Sequence, residues 1–263
     1  MKTKRVSRFM SVVLAVMVFI AFSAPFTQVA SAASKKTFYV PTKVTNTYTF
    51  NGQTGKSKTT FKYNKNGLRT SAKFSSGSKT TYKRDKKGLI KSWKTTNKKG
   101  KVVASGKSKI EGGVVVSEKV YNVKGKKKTL NYTASYTYAN GKVVREEDIY
   151  TNGDKFTTEY DIYGNVVKET YQLKIETMIT THSLKTDAQG NIISDVETVV
   201  DVFNGQKTTT VTTTNNVYTY DKNGNITKKV STTTSGGKVT FSSTTTYKYK
   251  KVKVAKKFWN YFM

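Results

Sequence analysis

The chain of 263 residues contains no cysteine, two prolines and a single histidine, His182. Without cysteine there is no disulfide framework, so the folded chain depends on packing alone. One histidine cannot supply the several His or Cys ligands of a typical zinc site. His182 lies in an alternating, Thr-rich stretch, which favours a strand residue over a catalytic base. We therefore expect no metal site, no cofactor and no enzyme activity.

Acidic residues are also scarce, and unevenly so. The formal net charge is +31, and residues 33–110 hold 21 Lys or Arg against one acid, Asp85. Residues 111–200 are nearly balanced, with 11 cations and 13 acids. A strongly basic surface attracts polyanions, and such binding weakens as salt rises. The alternative is that lysines on exposed strands only prevent edge-to-edge aggregation.

The first 32 residues have the three parts of a secretory signal. Four cations precede an apolar stretch at residues 10–22, and the small residues Ala30, Ser31 and Ala32 follow it. The apolar stretch is shorter than the roughly 20 residues that a spanning helix needs. We expect cleavage after Ala32 and a secreted or surface-attached bacterial protein. Residues 33–263 would then form one domain without a transmembrane helix.

A turn motif recurs along the rest of the chain: Asp or Asn is followed three residues later by Gly. Asp or Asn favours the first position of a type I turn, and Gly tolerates the positive φ that the fourth position often adopts. Each copy therefore predicts one hairpin tip. The seven copies are Asn64 to Gly67, Asp85 to Gly88, Asn97 to Gly100, Asn122 to Gly125, Asp161 to Gly164, Asp187 to Gly190 and Asp221 to Gly224.

Shorter Asn-Gly, Ser-Gly and Gly-Gly turns lie between these tips and separate runs rich in Thr, Val, Tyr and Ile. The turns predict an all-β, antiparallel meander of repeated hairpins with roughly 14 to 16 strands. Residues 166–187 lack a glycine turn, and we expect an irregular reversal near Leu173 to Glu176. Leucine is too rare for a thick two-layer core, which favours an elongated, twisted sheet, curled or solenoid-like.

The segments Tyr220–Ile226 and Tyr160–Val166 resemble the YD repeats of Rhs-type surface proteins and teneurins. In each copy the residues flanking the turn would pair across adjacent strands and form the repeat core. The Arg that usually follows the family's Gly is replaced here by Asn165 and Asn225. In long Rhs proteins such repeats spiral into a shell around a toxin, and this chain resembles only the wall. The expected repeat core consists of Tyr63, Tyr121, Tyr160, Val166, Ile192, Tyr220 and Ile226.

The acidic cluster Glu146, Glu147 and Asp148 is where a paired-carboxylate, polysaccharide-acting enzyme would have its site. Because alternate strand residues share a face, Glu146 and Asp148 would lie together, with Glu147 opposite. The simpler interpretation is that the cluster neutralises lysines on adjacent strands. The Asp221–Asn225 turn lacks the oxygen spacing and closing Glu of a calcium loop.

Taken together, the residues favour a non-catalytic surface protein, structural or adhesive, that binds anionic envelope polymers or other polyanions. No specific nucleic-acid partner is expected. One alternative is an outer-membrane-type β-barrel, although strands such as residues 56–63 lack its apolar outward face. The other is the enzyme built on Glu146, Glu147 and Asp148. The aromatic C-terminal residues 256–263 would cap the sheet or touch a membrane interface.

Overall fold

The structure, a computed structural model, describes residues 35–261, with side chains described for residues 36–258. The expected leader and its cleavage site therefore lie outside the described residues. Within the described range, sixteen antiparallel strands and one short 3-10 helix follow one another. The strands are β1 (Lys35–Phe50), β2 (Gln53–Tyr63), β3 (Arg69–Phe74), β4 (Lys79–Arg84), β5 (Ile90–Thr96), β6 (Val102–Glu111), β7 (Val114–Lys124), β8 (Lys127–Ala139), β9 (Lys142–Tyr150), β10 (Lys155–Tyr160), β11 (Val166–Gln172), β12 (Glu176–Thr186), β13 (Ile192–Phe203), β14 (Gln206–Tyr220), β15 (Ile226–Ser235) and β16 (Lys238–Ala255), and the 3-10 helix is Lys256–Tyr261.

The sheet closes into a barrel. Each strand pairs with the next one, and β1 pairs antiparallel with β16, from Lys35 opposite Ala255 to Phe50 opposite Phe241. The all-β, antiparallel hairpin fold is thus confirmed, whereas the elongated, curled or solenoid-like sheet is wrong. Closure pairs β1 with β16, whereas an open sheet would leave both strands as unpaired edges.

The Asp and Asn turns have a common geometry. At the β14–β15 tip the Asp221 carboxylate accepts the backbone N–H groups of Asn223 (2.8 Å) and Asn225 (2.9 Å). Gly224 then adopts a φ of +76° and donates its N–H to the Asp221 carbonyl. The turns that begin at Asn64, Asp85, Asn97, Asp161 and Asp187 repeat this pattern.

The seventh expected turn is different. Asn122 lies within β7, opposite Thr129 of β8, and the chain reverses through Gly125 and Lys126. Gly125 still has a positive φ of +61°. The expectation of a turn beginning at Asn122 was therefore wrong, because the two-residue loop that follows is sufficient to join β7 and β8. The irregular reversal between β11 and β12 is present, where the Leu173 N–H donates to the Glu176 carbonyl.

The most completely buried apolar cluster lies at one mouth of the barrel. Residues 35–41 of β1 and 249–255 of β16 extend beyond their other neighbours and pair only with each other. We call this two-stranded extension the terminal ribbon. It packs against the β2–β3 turn, and Phe258 of the 3-10 helix joins the same cluster, as the capping interpretation of the C-terminus expects. The buried members are Phe38, Val40, Leu68, Val254 and Phe258.

Candidate functional site

The barrel wall has two chemically different faces. Along β4 the lysines Lys79 and Lys83 are exposed, whereas Tyr82 and Arg84 on the alternate positions are half-buried. Because side chains alternate across a strand, the less exposed set lines the lumen and the lysines point outward. We call the exposed lysines of β2 to β5 on the outward positions the basic face: Lys56, Lys58, Lys62, Lys73, Lys79, Lys83 and Lys94.

Like charges lie directly opposite one another on the outer wall. Lys73 of β3 pairs with Lys79 of β4, and Lys107 of β6 pairs with Lys119 of β7. Such pairs destabilise a sheet. Across residues 35–261, no lysine of the basic face has an ion pair. The nearby Asp85 instead accepts N–H groups of its own turn.

The acids of the middle strands fall mostly on the opposite, inner face. The strand registers place most of their carboxylates on it, whereas Glu147 points outward. Glu147 lies 2.7 Å from Lys155 and 3.2 Å from Arg145, as the neutralising interpretation expects, and these contacts lower its pKa. The inward acids include Glu118, Glu146, Asp148, Glu169, Asp195, Glu197 and Asp201. The lysines of the basic face thus point outward, whereas these acids point inward.

The His182 ring lies next to three of the inner carboxylates. Its Nδ1 lies 3.0 Å from Asp195, its Nε2 lies 3.8 Å from Glu169, and Glu197 is its register partner. Burial lowers the pKa of His182, but the hydrogen bond to Asp195 and the nearby Glu169 carboxylate outweigh burial and raise it to about 10. Burial also lowers the pKa of Lys229 on β15, against the attraction of Asp195. The His182 ring is therefore a cation at neutral pH.

The other inner carboxylates have no such cation. Glu118 accepts from Trp93 Nε1 (2.9 Å) and Ser108 Oγ (3.0 Å), and Glu146 accepts from the Tyr160 hydroxyl (3.0 Å). Burial raises the pKa of Glu146. The two groups are therefore stabilised by neutral donors.

Like Asp201 of β13, Asp148 has a buried carboxylate oxygen without a hydrogen-bond partner among residues 35–261. It is 8% exposed, and within the described part of the chain its Oδ1 has no hydrogen-bond donor. Burial raises its pKa to about 7, and the Glu146 and Glu118 carboxylates add to the rise. Glu146 and Asp148 do share one face, as the enzyme alternative requires, whereas Glu147 is excluded from any inward pair.

The expected repeat-core residues differ in their cross-strand partners. Tyr160 pairs with Val166 and Tyr220 with Ile226 across their turns. Tyr63 pairs with Arg69, and Ile192 with Thr186. Ile226 is buried, and the others are half-buried. Tyr121 instead pairs with Leu130, and the ammonium of Lys128 lies 3.8 Å from its ring centroid.

Sequence reasoning missed Trp93 and Glu118 as partners. Trp93 Nε1 reaches Glu118 across β6 because the strand between them carries Gly106 at the crossing point, where an added Cβ would collide with the indole ring. A glycine inside an otherwise regular strand was the available signal, since it often marks a close approach.

Two features are absent from residues 35–261. No group of three or more His, Asp or Glu side chains is placed to hold a metal ion in this part of the chain. No helix within these residues is long and apolar enough to cross a membrane.

Comparison with known proteins gives distant structural likenesses. No family model matches the chain, and no curated protein does. A porin-like protein from Bacteroides uniformis is similar over 80% of this chain and 96% of its own, with 13% identity and a TM-score of 0.48. A TcdB2-TccC3-Cdc42 structure (14% identity) and the Photorhabdus luminescens Tc holotoxin pore (13%) have TM-scores of 0.19 over 70% and 71% of this chain. The chain spans 15% of each of those toxin chains. These scores are too low to assign a family or a function.

Proposed function

We propose that the chain is an exported, water-exposed barrel that binds anionic envelope polymers through its basic face. The observation that carries the proposal is the pairing of lysine with lysine across neighbouring strands, as at Lys73 and Lys79. Neither of these two lysines has an ion-paired acid among the described residues. Protection against aggregation needs charge on exposed strands, but it does not need charge of one sign.

The spacing of the basic face suits a flexible chain of phosphates or carboxylates. Neighbouring strands are about 4.8 Å apart, and alternate residues along a strand are about 7 Å apart. These spacings are shorter than the Debye length of about 8 Å at physiological salt. The lysines therefore repel one another until a polyanion lies across them, and the release of its counterions favours binding.

Calorimetry with soluble poly(glycerol phosphate) tests the proposal, with neutral dextran as the control ligand. We expect affinity to fall steeply between 50 and 500 mM salt, with a log-log slope of about 0.7 per neutralised phosphate. Replacing Lys56, Lys58, Lys73 and Lys94 by Gln should lower that slope by up to about 3.

The matched control replaces four exposed lysines on other strands and turns, Lys185, Lys207, Lys228 and Lys238, by Gln. It changes net charge equally and should leave most of the affinity. Equal losses in both variants would show that overall charge, and not the basic face, drives binding. Salt-independent binding of the unaltered protein would overturn the proposal.

A single substitution separates binding from folding. Lys79→Glu converts a like-charge pair with Lys73 into an opposite-charge pair, which should stabilise the barrel by about 0.2–1 kcal/mol. The same change should weaken polymer binding. A variant that is less stable as well as weaker in binding would contradict the argument that the lysines of the basic face repel one another in the free protein.

A membrane barrel is the second candidate, and the closed sixteen-strand sheet favours it. Its outward face would need an apolar band, and each Lys at the bilayer midplane costs about 2–4 kcal/mol. The exposed lysines of β2 to β5 oppose this candidate. We expect the purified protein to remain soluble without detergent and not to float with neutral phosphatidylcholine vesicles. A requirement for detergent would support the membrane barrel and end the polymer-binding proposal.

Export and kinship belong to the same proposal. The basic, apolar and small-residue segments of the first 32 residues support export to the cell surface. Kinship with YD-repeat proteins is supported by the shared geometry of the turns at Asp161, Asp187 and Asp221.

A further inference from the structure

The inner wall of β7 to β9 carries negative charge that the described residues do not balance. Glu118, Glu146 and Asp148 lie on this wall, and Asp148 and Glu118 are both register partners of Ala134. Their hydrogen-bond donors are an indole and hydroxyl groups, which are neutral. On β12 to β15, by contrast, His182 and Lys229 accompany the carboxylates. One side of the lumen therefore lacks a cation that the other side has.

Aromatic rings surround these carboxylates. Tyr132 and Tyr150 are register partners whose ring centroids are 4.9 Å apart, and Tyr132 precedes Ala134 on the same face. Trp93 and Tyr160 contact the neighbouring carboxylates. The faces of aromatic rings carry partial negative charge and attract cations. The inner wall thus combines two features that stabilise a positively charged ligand.

Asp148 is the carboxylate on this wall that lacks a hydrogen-bond donor within the described part of the chain. Its side chain lies in the lumen wall, is 8% exposed, and its Oδ1 accepts no hydrogen bond from residues 35–261. A buried carboxylate normally accepts hydrogen bonds or has a charged partner. Asp148 also lies two residues before the end of β9, at the mouth opposite the terminal ribbon.

The donor set favours an organic cation over a metal ion. No trio of ligating side chains is placed to hold a metal among the described residues. Glu118 and Glu146 already accept hydrogen bonds, which leaves one free carboxylate beside aromatic faces. An alkylammonium group offers N–H donors to the carboxylate and methylene groups to the rings. We propose that this wall binds a small alkylammonium ligand, with Asp148 as its counter-ion.

Titration calorimetry with 1,5-diaminopentane at low salt tests the site, and the uncharged 1,5-pentanediol is the control ligand. We expect the diamine to bind and the diol not to bind. Asp148→Asn should weaken diamine binding at least tenfold. Glu147→Gln removes the same charge one residue away on the outer face and should leave the affinity unchanged.

The stability of the variant separates loss of the site from loss of the fold. At pH 8, Asp148→Asn removes an unbalanced buried charge, so its melting temperature should rise while its affinity falls. Below pH 6 the unaltered protein should also bind weakly, because Asp148 becomes protonated. Asp148 faces Glu146 and Tyr150 on its own strand, Tyr132 on β8 and Glu118 on β7, so Glu146→Gln provides the second test and should also weaken binding.

Three results would overturn the site: no diamine binding by the unaltered protein, equal weakening by Glu147→Gln, or tighter binding of Mg²⁺ than of the diamine. None of them depends on the basic face. Failure here and failure of polymer binding are therefore distinguishable.

Discussion

The charge on His182 makes the stability of the barrel depend on pH in a calculable way. The side chain is 11% exposed and lies among Asp195, Glu169 and Glu197. A rise in pKa from about 6.5 in the unfolded chain to about 10 in the folded one corresponds to at most about 5 kcal/mol of stability. Because the folded pKa is the higher one, this stability is complete below pH 6.5. It is lost as the pH rises through about 10.

The measurement is direct because the chain has a single histidine. In untagged protein, NMR of the imidazole should show a titration midpoint near 10. The free energy of unfolding, measured from pH 6 to pH 10 in the unaltered protein and in His182→Gln, gives the energetic counterpart. The difference between the two proteins should be largest near pH 6 and should shrink as the pH rises. A midpoint near or below 6.5, or two parallel stability curves, would refute the reasoning.

Two further substitutions test local packing. Gly106→Ala should cost about 2 kcal/mol, because the added methyl displaces Trp93 and breaks its hydrogen bond to Glu118; denaturant unfolding measures the loss, and unchanged stability would contradict it. Asp221→Ala should cost about 2–3 kcal/mol, since two backbone N–H groups and the buried Asn225 amide lose their acceptor. Asp221→Asn retains a side-chain acceptor and should cost less. A larger loss in Asp221→Asn would contradict this account of the turn.

Local features of the fold could be predicted from the sequence because they depend on neighbouring residues. Asp221 and Gly224 specify a turn by short-range sterics and hydrogen bonds. Asn122 was wrongly predicted to begin a turn. The chain reverses at Gly125 and Lys126, so the turn begins two residues later, at Lys124. The alternation of Lys79 and Tyr82 along β4 likewise distinguishes the two faces of that strand from the residue pattern alone.

No local sequence pattern indicates that the sheet closes into a barrel. The pairing of Phe38 with Val252 joins residues more than 200 positions apart, and it depends on the summed twist and stagger of sixteen strands. The inner acidic wall could not be predicted either. The sequence indicates that Glu146 and Asp148 share one face of their strand, but it does not indicate that this face lines the lumen. The terminal ribbon was missed since its apolar residues occupy only short stretches at the two ends of the domain.

Disulfide formation between β1 and β16 tests the closed barrel most directly. Thr45 and Thr246 are register partners, and the natural chain has no cysteine to interfere. Under oxidation, Thr45→Cys with Thr246→Cys should give an intramolecular disulfide, as should Thr45→Cys with Lys58→Cys on the adjacent β2. Thr45→Cys with Thr181→Cys should give none. A monomer in which the β1–β2 pair crosslinks but the β1–β16 pair does not would show an open sheet and contradict the account.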